Sequence, residues 1–139
     1  MSTRSHAPLI RLARFKVEEL QKQMADIDRA RAAIADQIER LEASVPGEQA
    51  AASESREGYL AYGSYARSVI QRKDNLRASE REVEAQAGEL RERLETAYAE
   101  LKKYEILEER RVARIEDAVR AAEQAEMDEI AGRMRRVAH

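Results

Sequence analysis

From Ile10 onward the apolar residues return in steps of three and four: Ile10, Ala13, Val17, Leu20, Met24, Ile27, then Arg31, then Ile34, Ile38, Leu41 and Val45. Only Arg31 breaks the series. A seam repeating every ~3.5 residues stays on one side of a helix wound in a left-handed supercoil, whereas a helix in a globular core needs a wider stripe at ~3.6. The pattern asks for one long partner helix. A second series steps the same way through Tyr59, Tyr62, Ala66, Val69, Lys73, Leu76, Glu80, Val83, Ala87, Leu90, Leu94, Ala97, Leu101 and Tyr104, with Lys73 and Glu80 as its charged members. Two heptad helices in one chain predict an all-α, antiparallel two-helix coiled coil.

Composition agrees with a thin core. The 43% hydrophobic content is mostly Ala and Leu, with one Phe and no Trp, and 37% of the 139 residues are charged. Such a chain is too poor in bulky side chains to fill a wide interior. The 25 basic and 27 acidic residues are mixed along the sequence, so no field attractive to a polyanion is expected and nucleic acid is not a predicted partner. With no Cys there is neither a disulfide nor a thiolate metal site. The acid-free start, MSTRSHAPLIRLARFKV, has the look of a transit peptide, but its pattern runs unbroken into the first seam. No apolar run reaches the ~20 residues that cross a bilayer.

Pro46 and Gly47 mark the predicted end of the first helix, because Pro disfavours helical geometry at Val45 and donates no hydrogen bond. The expected layout is a single coiled-coil domain over 1–139, with helix 1 at about 8–45, a loop at about 46–58 and helix 2 at about 59–136. Ser53 and Ser55 are candidate N-caps for helix 2. After Tyr104 the apolar phase slips. Leu107, Val112, Ile115 and Val119 leave it, and Met127, Ile130, Met134 and Val137 restart it, which predicts stutters near 105–112 and 122–127. At ~1.5 Å per residue the first helix spans roughly 55 Å and the second roughly 120 Å. About the last 35 residues then form a C-terminal helical overhang without a partner in the chain.

The hairpin register turns on Arg31. The tightest alignment sets Arg31 across from Lys73, a like-charge clash on a desolvated seam; sliding helix 2 by one heptad sets it across from Glu80. Arg31 and Glu80 are therefore the expected register pair. The stretch GYLAYGSY, residues 58–65, depends on this choice. In the tight register Tyr59 and Tyr62 close a corner against Val45 and Leu41; in the shifted one Tyr59, Tyr62 and Tyr65 form a protruding aromatic tip.

No catalytic constellation is present. His6 and His139 sit far apart in sequence with no neighbours at metal-ligand spacing, Gly47, Gly58 and Gly63 form no phosphate loop, and the acidic residues alternate with Arg and Lys as on solvated helix faces. The expectation is no enzyme, no metal and no cofactor. The basic cluster RMRR at 133–136 suits an acidic partner or the negative end of the helix dipole.

The run KKYEILEERRVARIEDAVRAAEQAEMDEIAGRMRR, residues 102–136, resembles the flagellar FliJ family, through YEILEER at 104–110 and EQAEMDEIA at 123–131. Length, the N-terminal heptad helix and a long second helix opening near tyrosines agree with it. The resemblance implies a non-enzymatic stalk and export chaperone of the flagellar type III export apparatus, cytoplasmic and peripheral to the inner membrane at the flagellar base. Its implied partners are a hexameric export ATPase, whose activity it promotes, the membrane export gate, and export chaperones. Carried onto this sequence, the partner-facing residues are Glu105, Leu107, Glu108, Arg110 and Arg111 in the first segment and Glu123, Gln124, Met127, Asp128, Glu129 and Ile130 in the second. The middle region VIQRKDNLRASE departs from the Gln and aromatic residues of many family members, which weakens the transfer of export-gate contacts. A generic coiled-coil scaffold or dimerisation protein, and the stalk of a virulence-type secretion system, are the alternatives.

Overall fold

The computed structural model describes residues 4–138, and His139 lies outside them. Two α-helices fill almost all of it: α1 over Ala7–Ala52 and α2 over Arg56–Ala138. They pack against each other as an all-α helical hairpin, with no strand among the described residues. The heptad pattern sets the contact face. Every position of the first seam, Arg31 included, is buried or half-buried, as is every position of the second except Tyr59. The best-covered side chains are small or β-branched (Ala13, Val17, Ile38, Val69, Ala87 and Ala97 among them), which lets two helices approach closely along a narrow seam.

The chain divides into two compact units. The unit Glu18–Glu95 holds the turn. Here α1 does not stop at Pro46, and the connection is residues 53–55 rather than 46–58. Pro46 is exposed, so the carbonyl its missing N–H leaves unpaired, that of Glu42, faces water instead of an apolar interior. The cost is one hydrogen bond, and packing of Val45 and Ala52 holds the last turns of α1 in place. The Ser55 hydroxyl then caps α2 by accepting a 2.9 Å hydrogen bond from the Gly58 N–H, which starts the helix earlier than residue 59. Ser53 instead donates to the Ala50 carbonyl at 2.8 Å. Gly58 is required by close approach: a Cβ there would lie 3.0 Å from the Ala51 carbonyl oxygen and 2.9 Å from Ser55 Oγ. No glycine has positive φ, and Gly58 and Gly63 both lie within α2.

The ion pairs across this unit join other residues than the expected pair. Arg31 pairs with Glu84, its Nε 2.6 Å from Oε1, and Lys73 pairs with Glu42 at 3.1 Å. These are equal and opposite steps along the helices, from 31 to 42 on α1 and from 84 to 73 on α2. The expected pair Arg31–Glu80 is not formed. Glu80 is one helical turn short, and Arg77 of its own helix reaches it at 3.2 Å. Each seam cation thus reaches a carboxylate on the opposite helix. The Arg31 Nε–H is buried but not aimed at the oxygen, so its contact with Glu84 is an ion pair without a hydrogen bond.

The second unit joins residues 4–17 to α2 from Thr96 onward. Ala13, Val17 and Ala97 are its buried centre. Lys16 lies 4.0 Å from Glu100 and Arg14 lies 4.0 Å from Glu105 along its flanks.

Candidate partner-binding face of helix α2

The seam of α2 does not slip after Tyr104. Its three-and-four phase continues to Glu108 and Arg111, both half-buried at positions where a coiled coil ordinarily carries apolar residues. The stutter expected near 105–112 is thus a polar continuation of the same stripe. Glu108 is the centre of a clasp that ties down the start of α1. Its carboxylate accepts from the His6 backbone N–H at 2.7 Å, from Ser5 Oγ at 3.1 Å and from Arg111 Nη2 at 2.6 Å, with His6 Nδ1 2.9 Å away. Glu108 and Arg111 keep only 20% and 16% of their side chains exposed. The Arg111 guanidinium first, and then the His6 N–H, hold the Glu108 carboxyl well below the usual carboxylate range, against a desolvation that pushes the other way. Ser5 Oγ also accepts from the Ala7 N–H at 3.1 Å, so the clasp and the first turn of α1 share a hydroxyl.

Beyond the clasp α2 is bare. Every residue of 112–138 except Gly132 is exposed. Val112, Ile115 and Val119 lead to Met127, Ile130, Met134 and Val137, all at least 40% exposed. Met127 and Ile130 lie in a shallow surface groove with Arg120, Glu123, Gln124 and Glu126. Polar neighbours along this stretch are held within the helix: Gln124 donates to Asp128 at 2.9 Å and Arg133 to Glu129 at 2.8 Å.

The residues carried over from sequence therefore separate. Glu108 and Arg111 face the chain's own first residues, and Glu105 lies beside Arg14, so these three serve the hairpin. Leu107 is half-buried and Arg110 exposed. Glu123, Gln124, Met127, Asp128, Glu129 and Ile130 all stand in the bare stretch. Of the tyrosines, only Tyr59 protrudes, at 71% exposure. Tyr65 hydrogen-bonds Ser44 of α1, and Tyr62 leans on Tyr65 with ring centroids 6.2 Å apart. Within GYLAYGSY, Tyr62 and Tyr65 are half-buried, while Tyr59 and Leu60 are exposed.

A sequence profile of the flagellar FliJ protein family matches residues 5–138. The chain belongs to the FliJ family. No curated protein and no solved structure matches it. FliJ membership makes this hairpin a flagellar, export-related coiled-coil protein, and it spans both the clasp and the bare stretch. Among the described residues there is no cluster of His, Cys, Asp or Glu able to hold a metal, and no helix is long and apolar enough to cross a membrane.

Proposed function

We propose that this FliJ-family chain acts as one coiled-coil domain: a non-enzymatic stalk and chaperone of flagellar type III export that enters and stimulates a hexameric export ATPase and links it to the membrane export gate. It works on the cytoplasmic side, peripheral to the inner membrane, and also meets export chaperones. The observation that carries this reading is the uncovered apolar stripe of residues 112–137 on a helix whose preceding turns are clasped by the start of α1. A single helix presenting Val, Ile and Met on one side and charges on the others offers different faces to several subunits arranged around it. Such a stripe is unstable in water on its own account and favours burial against a partner.

A dimerisation protein is the second reading, because the stripe is nearly self-complementary. An antiparallel copy would set Val112 against Val137, Ile115 against Met134 and Val119 against Ile130. It would also set Glu123 against Glu126 and Arg120 against Glu129. The test is a chain ending at Arg111, which keeps the clasp. Stalk action predicts that it remains a folded hairpin and no longer stimulates the purified ATPase hexamer; undiminished stimulation would refute it. Light scattering of the full chain distinguishes the second reading by mass.

A further inference from the structure

We propose that the outer face of the first three turns of α1 docks on an anionic lipid surface. Leu9, Leu12 and Phe15 are 43%, 53% and 58% exposed, while the seam residues Ala13 and Val17 of the same turns are buried. These turns are therefore apolar on two sides: one packs on α2, and the other is bare and carries the only Phe of the chain. Steps of three keep Leu9, Leu12 and Phe15 on one helix surface, with Arg11 and Lys16 at its borders.

The charge around this face selects its occupant. Segments 4–17 and 96–111 carry eight Lys and Arg against four Glu, in a chain whose formal charge is −2. The first turn of α1 has no acidic residue. Lys16 remains 52% exposed at 4.0 Å from its carboxylate, so its charge is available outward. An apolar face bordered by long basic side chains matches a leaflet in which acyl chains and anionic headgroups lie at adjacent depths; the basic heads reach the headgroups while the stems lie over the apolar zone. The attachment is peripheral, since no described helix is apolar enough to span. It uses residues other than the stripe of α2 beyond Arg111, and gives the peripheral membrane position of the export reading a surface of its own.

Flotation of the full chain with vesicles of phosphatidylglycerol and phosphatidylcholine, against phosphatidylcholine alone, tests the proposal. Binding is expected only with the anionic vesicles, and raised salt should weaken it. Leu12→Ser with Phe15→Ser should lower partitioning at least about tenfold, from the loss of two buried apolar side chains. Arg11→Glu should lower it at least about fivefold. Helicity by circular dichroism should not change, because all three residues point away from the seam. Met127→Ser should leave vesicle binding intact. Failure to float with anionic vesicles overturns the proposal even where the face proves to meet an acidic protein, and so does binding that is indifferent to Leu12, Phe15 and Arg11 or that depends on Met127.

Discussion

Arg31 of α1 meets Glu84 of α2 across the hairpin, Nε to Oε1 at 2.6 Å. It is the one interruption of an otherwise apolar seam, and its partner comes from the opposite helix. Both side chains keep part of their surface in water, 37% and 49%. The pair therefore contributes mainly to choosing the register, with a coupling of about 0.5 kcal/mol in a double-mutant cycle. Glu84→Arg should destabilise, and adding Arg31→Glu should recover most of the loss. Equilibrium urea unfolding of the two single variants and the double variant measures this, and strictly additive effects would remove Arg31 from the account of register.

Gly58 and Gly63 make opposite predictions although they lie in consecutive turns of one helix. Gly63 has open space where a Cβ would go, so Gly63→Ala should stabilise by up to about 1 kcal/mol through helix propensity. Gly58→Ala meets the Ala51 carbonyl and should cancel that gain or reverse it. The order of the two melting temperatures decides the matter.

Pro46 sits inside α1, exposed, at a position where the helix is otherwise continuous. Pro46→Ala should restore the hydrogen bond to the Glu42 carbonyl and raise stability, by up to about 3 kcal/mol. Amide exchange should slow in residues 44–52. A lowered melting temperature would mean that Pro46 shapes the turn in a way the helix needs.

The Glu108 clasp gives a pH prediction whose sign is fixed by geometry. A carboxyl held below its ordinary range in the folded chain contributes stability that is fully present above its unfolded pKa of about 4.3 and fades as pH falls below that. Glu108→Gln should remove this acid sensitivity and speed amide exchange at the start of α1, leaving exchange near Tyr62 and Val69 unaltered. Equal acceleration at both places would show that Glu108 acts on the whole hairpin.

Most of the hairpin is legible in the sequence because period alone identifies a seam: each position from Ile10 to Val45 lies against α2 as the spacing requires. What was not legible follows from two limits of such patterns. Periodicity tracks apolar residues, so Glu108 and Arg111 vanish from it, although they hold seam positions and neutralise one another there. It also says nothing of how far two seams slide, and Arg31 with Glu80 satisfied charge as well on paper as Arg31 with Glu84 does in three dimensions. Pro46 misled for a different reason: a helix breaker weighs against one hydrogen bond, and the packing of Val45, Ala52 and Tyr65 outweighs it. The bare face around Met127 and Ile130 was readable as an apolar run that outlasts its intramolecular partner.

The clasp joins residues 102 positions apart, His6 to Glu108. In such a hairpin the residues of α1 farthest from the turn are covered last. At ~5–20 residues per second, roughly 5–20 s separate their emergence from the ribosome. During that interval Ile10, Val17 and Leu20 have no α2 to lie against, whereas Ser44 and Tyr65, which hydrogen-bond near the turn, are only 21 positions apart. Pairing that starts at the turn reaches Ser5 last, so the seam of α1 stays uncovered until the Glu108 contact can close.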